Sequence, residues 1–331
     1  MRSCCAVLLP MLFTLPMLSQ SLTPLRTFSN TDWSCQGVVW VANSDMFCKD
    51  LRTHELSKVT LEGEHVYSHL AMPSVGRSTH VVAVTEDTEH NIYAVDGLHI
   101  HIYSPDGRYK ESMTPGLTMS VGIAVLDPQH IYVAGRTATA DKKTPSRETV
   151  FLVNRNGIQN AFSGVFFTDL SRLADIVVNT PSYLALDRNR GLLYQLPQKL
   201  YEVRVFDLDG NLIRKIVPPA QYGIQRPPIV ENYNPHTVRV EPGDGMVSIA
   251  VLPDGRIAIT GVKLVTLERK GSSTGAGGEG FVDIYDSDGN FQKRLSGTDT
   301  EISGASLLAF DQITGKAYLR KDHEVIESEV R

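Results

Sequence analysis

Asp207-Leu-Asp209-Gly210-Asn211 and Asp286-Ser-Asp288-Gly289-Asn290 each set three oxygen-bearing side chains on alternate positions. That spacing resembles the start of a calcium loop, where carboxylates and carbonyls of one short segment surround a hard cation. A helix–loop–helix calcium site also needs further spaced oxygens and a late bidentate glutamate. Here the next residues are Leu-Ile-Arg-Lys-Ile and Phe-Gln-Lys-Arg-Leu, which supply cations instead. The flanks alternate apolar and polar, and Asp-Gly between two such runs signals a hairpin, because glycine takes positive φ without steric cost. Sister segments Ser104-Pro-Asp-Gly107 and Asn154-Arg-Asn-Gly157 occupy the same place, and the second has no carboxylate in its turn. A turn is therefore the expected role, and it requires no cofactor.

Two other spacings invite chemistry. Gly275, Gly277 and Gly280 fit G-x-G-x-x-G, but a dinucleotide fingerprint opens a helix whose N-terminal amides meet the pyrophosphate. This run opens onto Phe-Val-Asp-Ile-Tyr-Asp, a strand pattern, so residues 271–280 are expected to form a loop. His99 and His101 alternate along a strand and so share one face. Two imidazoles there could hold zinc, although the polar side of a strand is their ordinary role. No H-E-x-x-H pair occurs.

The elements that carry these residues repeat. Val82-Ala83-Val84, Ile123-Ala124-Val125, Leu184-Ala185-Leu186, Ile249-Ala250-Val251 and Leu308-Ala309-Phe310 share the pattern aliphatic–Ala–apolar. Each precedes a turn-rich linker and a second short apolar strand. In most units a third, alternating strand then leads through the Asp-Gly or Asn-Gly turn into a more polar fourth. Period-2 alternation with turns at fixed offsets predicts units of four antiparallel strands, named A to D. One such sheet cannot bury both faces, whereas copies stacked around an axis bury each other. The expected fold is an all-β propeller with strand A innermost, where alanine suits the narrow space. An incomplete set precedes the five units, with Val39-Trp40-Val41-Ala42 matching the B strand Ile131–Ala134, and the last unit stops after strand C. Six blades with an irregular seam are expected, and five, from merging the partial units, is the alternative.

Over residues 33–331 the strand pair around Ile92-Tyr-Ala-Val and His99-Ile-His-Ile-Tyr-Ser-Pro-Asp-Gly, and above all Val203-Arg-Val-Phe-Asp-Leu-Asp-Gly-Asn-Leu-Ile-Arg-Lys-Ile216, resembles the NHL-repeat-like six-bladed propellers of exported bacterial proteins. That resemblance implies the fold and no activity, since such propellers host binding modules, lyases and hydrolases.

The 331 residues are 42% apolar and 21% charged, with a net charge of −5 and no basic run, so nucleic-acid binding has no electrostatic support. Arg2 followed by a short, proline-broken apolar run reads as a secretory signal over residues 1–21, and residues 22–32 as a linker. No later stretch suits a bilayer span, and an exported, periplasmic or extracellular location follows. Cys35 and Cys48, the cysteines left after the signal, flank an expected hairpin. They could form a disulfide or remain two buried thiols.

In a four-stranded up-and-down blade, A–B and C–D turns lie at one end, and B–C and D–A connections at the other. The long segments, near 136–147, 164–181, 218–245 and 266–280, all belong to the second end. Long loops on a rigid scaffold commonly carry function. The 218–245 segment offers Tyr222, Arg226, Tyr233 and His236, and Arg136 borders another loop. Aromatic and arginine side chains give large contact area and directed hydrogen bonds. The expected function is a binding module for a protein or small ligand through this face, without catalysis. The alternative is a metal-assisted hydrolase or lyase in the axial channel, which His80, Ser120, Ser182 and Ser306 approach.

Overall fold

Six antiparallel sheets of four strands arise in chain order, closed by the two termini. The computed structural model describes residues 22–29, 38–42, 45–49, 56–59, 65–67, 81–137, 147–166, 179, 181–224, 229–234, 237–241, 244–267, 275–296, 306–311, 314–321 and 324–330. Strand β1 spans Leu22–Ser29. Blade 1 holds β2 (Val38–Ala42), β3 (Asp45–Lys49), β4 (Leu56–Val59) and β5 (His65–Tyr67). Blade 2 holds β6 (Ala83–Glu86), β7 (Ile92–Val95), β8 (Ile100–Tyr103) and β9 (Tyr109–Met113). Blade 3 holds β10 (Leu117–Asp127), β11 (His130–Thr137), β12 (Glu148–Asn154) and β13 (Gly157–Gly164). Blade 4 holds β14 (Ser182–Asp187), β15 (Leu192–Pro197), β16 (Val203–Asp207) and β17 (Leu212–Ile216).

A 3₁₀ turn, Ala220–Tyr222, and a separate hairpin of β18 (Ile229–Asn234) and β19 (Thr237–Glu241) precede blade 5. Blade 5 holds β20 (Gly245–Val251), β21 (Ile257–Leu267), β22 (Gly275–Tyr285) and β23 (Phe291–Ser296). Blade 6 takes β24 (Ser306–Phe310), β25 (Ala317–Lys321) and β26 (Glu324–Val330), with β1 as its outer strand. The first strands touch in a closed circuit, β2 to β6, β10, β14, β20, β24 and back to β2, which is the inner wall of a propeller and excludes five blades.

The alanine repeat has a specific packing role. In the first four blades the alanine of strand A faces the next blade, whose own A strand turns aliphatics toward it. Ala83 shares a buried cluster with Ile123 and Val125, Ala124 with Leu184 and Leu186, and Ala185 with Ile249 and Val251. Ala42 does the same toward Val84. A small residue thus receives two branched ones where the blades converge, which fills the taper at native density. Blades 3 and 4 meet backbone to backbone at Gly122, where an added Cβ would stand 2.4 Å from the backbone oxygen of Ser182.

Three expectations are corrected. Residues 22–29 are a strand rather than a linker. In β1, Arg26 lies opposite Glu327 and its Nη2 stands 3.3 Å from the buried Glu327 carboxylate, which also takes Lys316 Nζ at 3.1 Å and the Tyr318 hydroxyl at 3.0 Å. Val38–Ala42 is the A strand of a complete blade, not a B strand, because it lies in the inner circuit. Gly275–Gly280 is no loop, since it pairs with Val262–Leu267 and prolongs the β21–β22 hairpin.

The acidic turns close hairpins, as read. Asp207 Oδ1 accepts the amides of Asp209 (3.1 Å) and Asn211 (2.8 Å), and Asp286 Oδ1 does likewise for Asp288 and Asn290. Gly210 and Gly289 hold φ of 90° and 86°. Cys48 lies in β3, paired with Val39 across the expected hairpin, while Cys35, residues 1–21 and His80 lie outside the described residues.

Candidate functional site

The antiparallel order in every blade brings the B–C and D–A connections to one end of the propeller. Two ribbons belong to these connections, the β18–β19 hairpin before blade 5 and the distal half of β21–β22 within it; among the described residues neither pairs with a further strand. A buried polar clamp lies beside the 3₁₀ turn that precedes the first ribbon. Arg294 grips the fully buried Asp283 with Nε to Oδ1 at 2.6 Å and Nη2 to Oδ2 at 2.7 Å. The Tyr201 hydroxyl, from the B–C connection of blade 4, donates to Asp283 Oδ2 at 2.6 Å and accepts from Tyr285 at 3.0 Å. Burial first, then the Asp283 charge, drives the Tyr201 phenol far above its ordinary range, so it stays protonated. Arg294 Nη2 also donates to the Tyr222 backbone oxygen at 2.8 Å, fixing the 3₁₀ turn that leads into the hairpin.

Tyr222 is engaged in this clamp. Its ring stacks on Phe291 at 4.9 Å and 26°, with the Arg294 guanidinium 4.7 Å from its centre. It lines a shallow cleft with Tyr201, Asp244, Lys263 and Phe281. Arg136 ends β11 with 2% exposure, inside the propeller rather than on an open loop. Tyr233 falls in β18, and Arg226 and His236 lie outside the described residues.

At the B–C corner of blade 2 the structure joins Asp96 to the histidine pair read from the sequence. Asp96 Oδ1 accepts the backbone amides of Leu98 (3.0 Å) and His99 (2.7 Å), which shapes the corner. Asp96 Oδ2 lies 3.1 Å from His99 Nδ1 and 3.1 Å from His101 Nε2. Their candidate donor atoms all fall within 4.8 Å of one another, the one such group of three among the described residues. His101 is 1% exposed and its Nδ1 has no hydrogen-bond partner. His99 is 18% exposed and opens the cluster to solvent. Burial works to raise the Asp96 carboxyl, but the two amides and two imidazoles outweigh it and hold the group below its ordinary range. The spacing Asp-x-x-His-x-His is legible in the sequence. Asp96 is missed when the histidines are considered only as strand residues.

The opposite end is closed differently. Arg188, just past β14, donates through Nη2 to the backbone oxygens of Glu86 (3.1 Å) and Val125 (3.0 Å). The side chain thus reaches past the inner strand of blade 3 and ties blades 2, 3 and 4 together. Burial lowers the Arg188 pKa, opposed by Asp87, Asp311 and Glu86. Glu86 itself is fully buried between Lys58 Nζ (3.4 Å) and His90 Nδ1 (3.2 Å). Of the serines expected near the axis, Ser182 turns into the seam between blades 3 and 4, where its Oγ accepts from Gln195 Nε2 at 3.2 Å. Ser120 is buried, and the side chain of Ser306 is not among those described.

Ring closure, blade topology and the uneven ends define a six-bladed β-propeller. Solved structures share this architecture at low identity. A DUF4221-family member from Bacteroides vulgatus matches with TM-score 0.53 and 6% identity over 95% of this chain and 98% of that one. A candidate exported protein of Bacteroides fragilis matches with TM-score 0.55 and 9% identity over 94% and 95%. A gluconolactonase from Xanthomonas campestris aligns with TM-score 0.48 and 12% identity over 94% and 97%. At such identities the likeness speaks for the fold alone. No protein-family model and no curated protein sequence matches the chain. Among the described residues no helix is long and apolar enough to cross a membrane.

Proposed function

We propose that the protein is an exported binding module that recognises a protein or small ligand through the end bearing the B–C and D–A connections. The observation that carries this reading is the contrast between the ends. One has short turns and the Arg188 guanidinium bonded to carbonyl oxygens of blades 2 and 3, and the other carries the long connections and two ribbons. Surface built out on a rigid ring, at no gain to the ring's own core, is where recognition is usually found. Export rests on the signal-like residues 1–21, and the exported description of one fold neighbour is in keeping with it. The channel-enzyme alternative has less support, because at the short-turn end the Arg188 guanidinium, bonded to carbonyl oxygens of blades 2 and 3, stands among Asp87, Asp311 and Glu86.

The test is quantitative capture from the extracellular and periplasmic fractions by immobilised wild type. It is compared with a variant in which residues 229–241 are replaced by a short Gly-Ser linker. The expected result is a component enriched on the wild type and lost on the variant. Equal recovery on both folded proteins would refute a role for that ribbon, and turnover of generic esters or lactones by wild type would favour the enzyme.

A further inference from the structure

We infer that Asp96, His99 and His101 form a binding site for a divalent ion of the zinc class, at the B–C corner of blade 2. The inference goes beyond the binding-module reading and does not depend on it. Three observations carry it. First, the donor set is right: two imidazole nitrogens and one carboxylate oxygen suit zinc and its transition-metal neighbours rather than calcium or magnesium, which prefer all-oxygen shells. Second, the spacing is right. Ligands bound tetrahedrally at about 2.0–2.1 Å stand about 3.3 Å apart. Here Asp96 Oδ2 is 3.1 Å from each imidazole nitrogen and all three candidate donors lie within 4.8 Å of one another, so small adjustments of the three groups would admit an ion. Third, the site is prepared. Asp96 is locked by two backbone amides, and His101 is held in the core at 1% exposure, so two of the three donors are fixed in place.

The two imidazole rings stand 5.9 Å apart at an interplanar angle of 41°, tilted rather than stacked, so that both edges address the same carboxylate oxygen. Three protein ligands leave a fourth position, and the partly exposed His99 marks the side from which water or a ligand donor would reach it.

Purified full-length protein, stripped with chelator and dialysed, would be titrated with Zn²⁺ against a chromophoric competitor. Co²⁺ serves as a spectroscopic probe of nitrogen ligation and Ca²⁺ as the contrasting ion. The expected result is one Zn²⁺ per chain, a tetrahedral-type Co²⁺ spectrum, and no displacement of Zn²⁺ by excess Ca²⁺. D96N and H99A should each weaken Zn²⁺ binding by at least about tenfold, since even outer-sphere partners matter by that factor. H99A, at the partly exposed position, keeps the test valid if variants at His101 fail to fold. H130A should bind as wild type does. Absence of stoichiometric binding to the folded wild type, or equal affinity in D96N, H99A and wild type, would overturn the inference.

Discussion

The corner Asp96-Gly-Leu-His99 and the turn Asp127-Pro-Gln-His130 are one local device used at opposite ends of the propeller. In each, an aspartate Oδ1 accepts the amides two and three residues on, and the histidine Nδ1 faces Oδ2, at 3.1 Å in the first and 2.9 Å in the second. Their surroundings differ. Asp96 is 3% exposed and meets a second, buried imidazole from β8, whereas Asp127 is 43% exposed and meets none. Two residues past His130 stands Tyr132, whose hydroxyl donates to the Leu208 backbone oxygen at 2.9 Å and belongs to the core between blades 3 and 4. An Asp-x-x-His turn is thus a cap by default. It becomes a candidate site only where strand alternation delivers a further donor into a buried corner.

The largest effect that would sharpen this contrast lies at the same end as Asp96. D283N breaks a buried, bidentate ion pair and strands Arg294 beneath the 3₁₀ turn. A loss of about 3–5 kcal/mol in urea unfolding is expected, with the ribbon at 229–241 becoming protease-sensitive. Next comes D96A, which orphans two amides and two imidazoles in a closed corner and should cost about 2–3 kcal/mol by the same measurement. R188A, at the turn end, removes two hydrogen bonds to backbone oxygens and a cation among Asp87, Asp311 and Glu86. About 1–2 kcal/mol is expected. D127A should cost less than about 1 kcal/mol, because its carboxylate is half in water. Equal costs for D96A and D127A would break the comparison.

Acid acts in the same direction on both turns, whose carboxyls are each held below their ordinary range. Burial, outweighed by the His130 side chain and the Gln129 amide, leaves the Asp127 carboxyl below its ordinary range. A carboxylate with a depressed folded pKa contributes stability above its unfolded value of about 3.9, and that contribution disappears as pH falls through the lower folded value. The stability gap between wild type and D127N should therefore close below about pH 4, seen as converging melting curves.

Much of this architecture was legible because it is local and periodic. The alanine repeat located the inner strands, and the Asp-Gly turns ended the C strands. What escaped was set by distant partners. Leu22–Ser29 contains a proline and reads as an irregular tail until it meets Val325–Val330 across the whole chain. Residues 275–280 carry four glycines, poor strand formers, and are strand only because β21 extends alongside them. Val38–Ala42 matched a B strand by composition, and only the inner circuit reveals its place. The shared face of His99 and His101 followed from period 2, whereas Asp96 enters through the fold of the corner. Arg188 spans two blades that no sequence pattern connects.

Zinc-edge anomalous diffraction from crystals of the full-length protein soaked in Zn²⁺ tests the contrast most directly. A single strong peak among Asp96 Oδ2, His99 Nδ1 and His101 Nε2, with none between Asp127 and His130, is the predicted result. A peak of equal strength at both places, or none at Asp96 in an accessible lattice position, would contradict it.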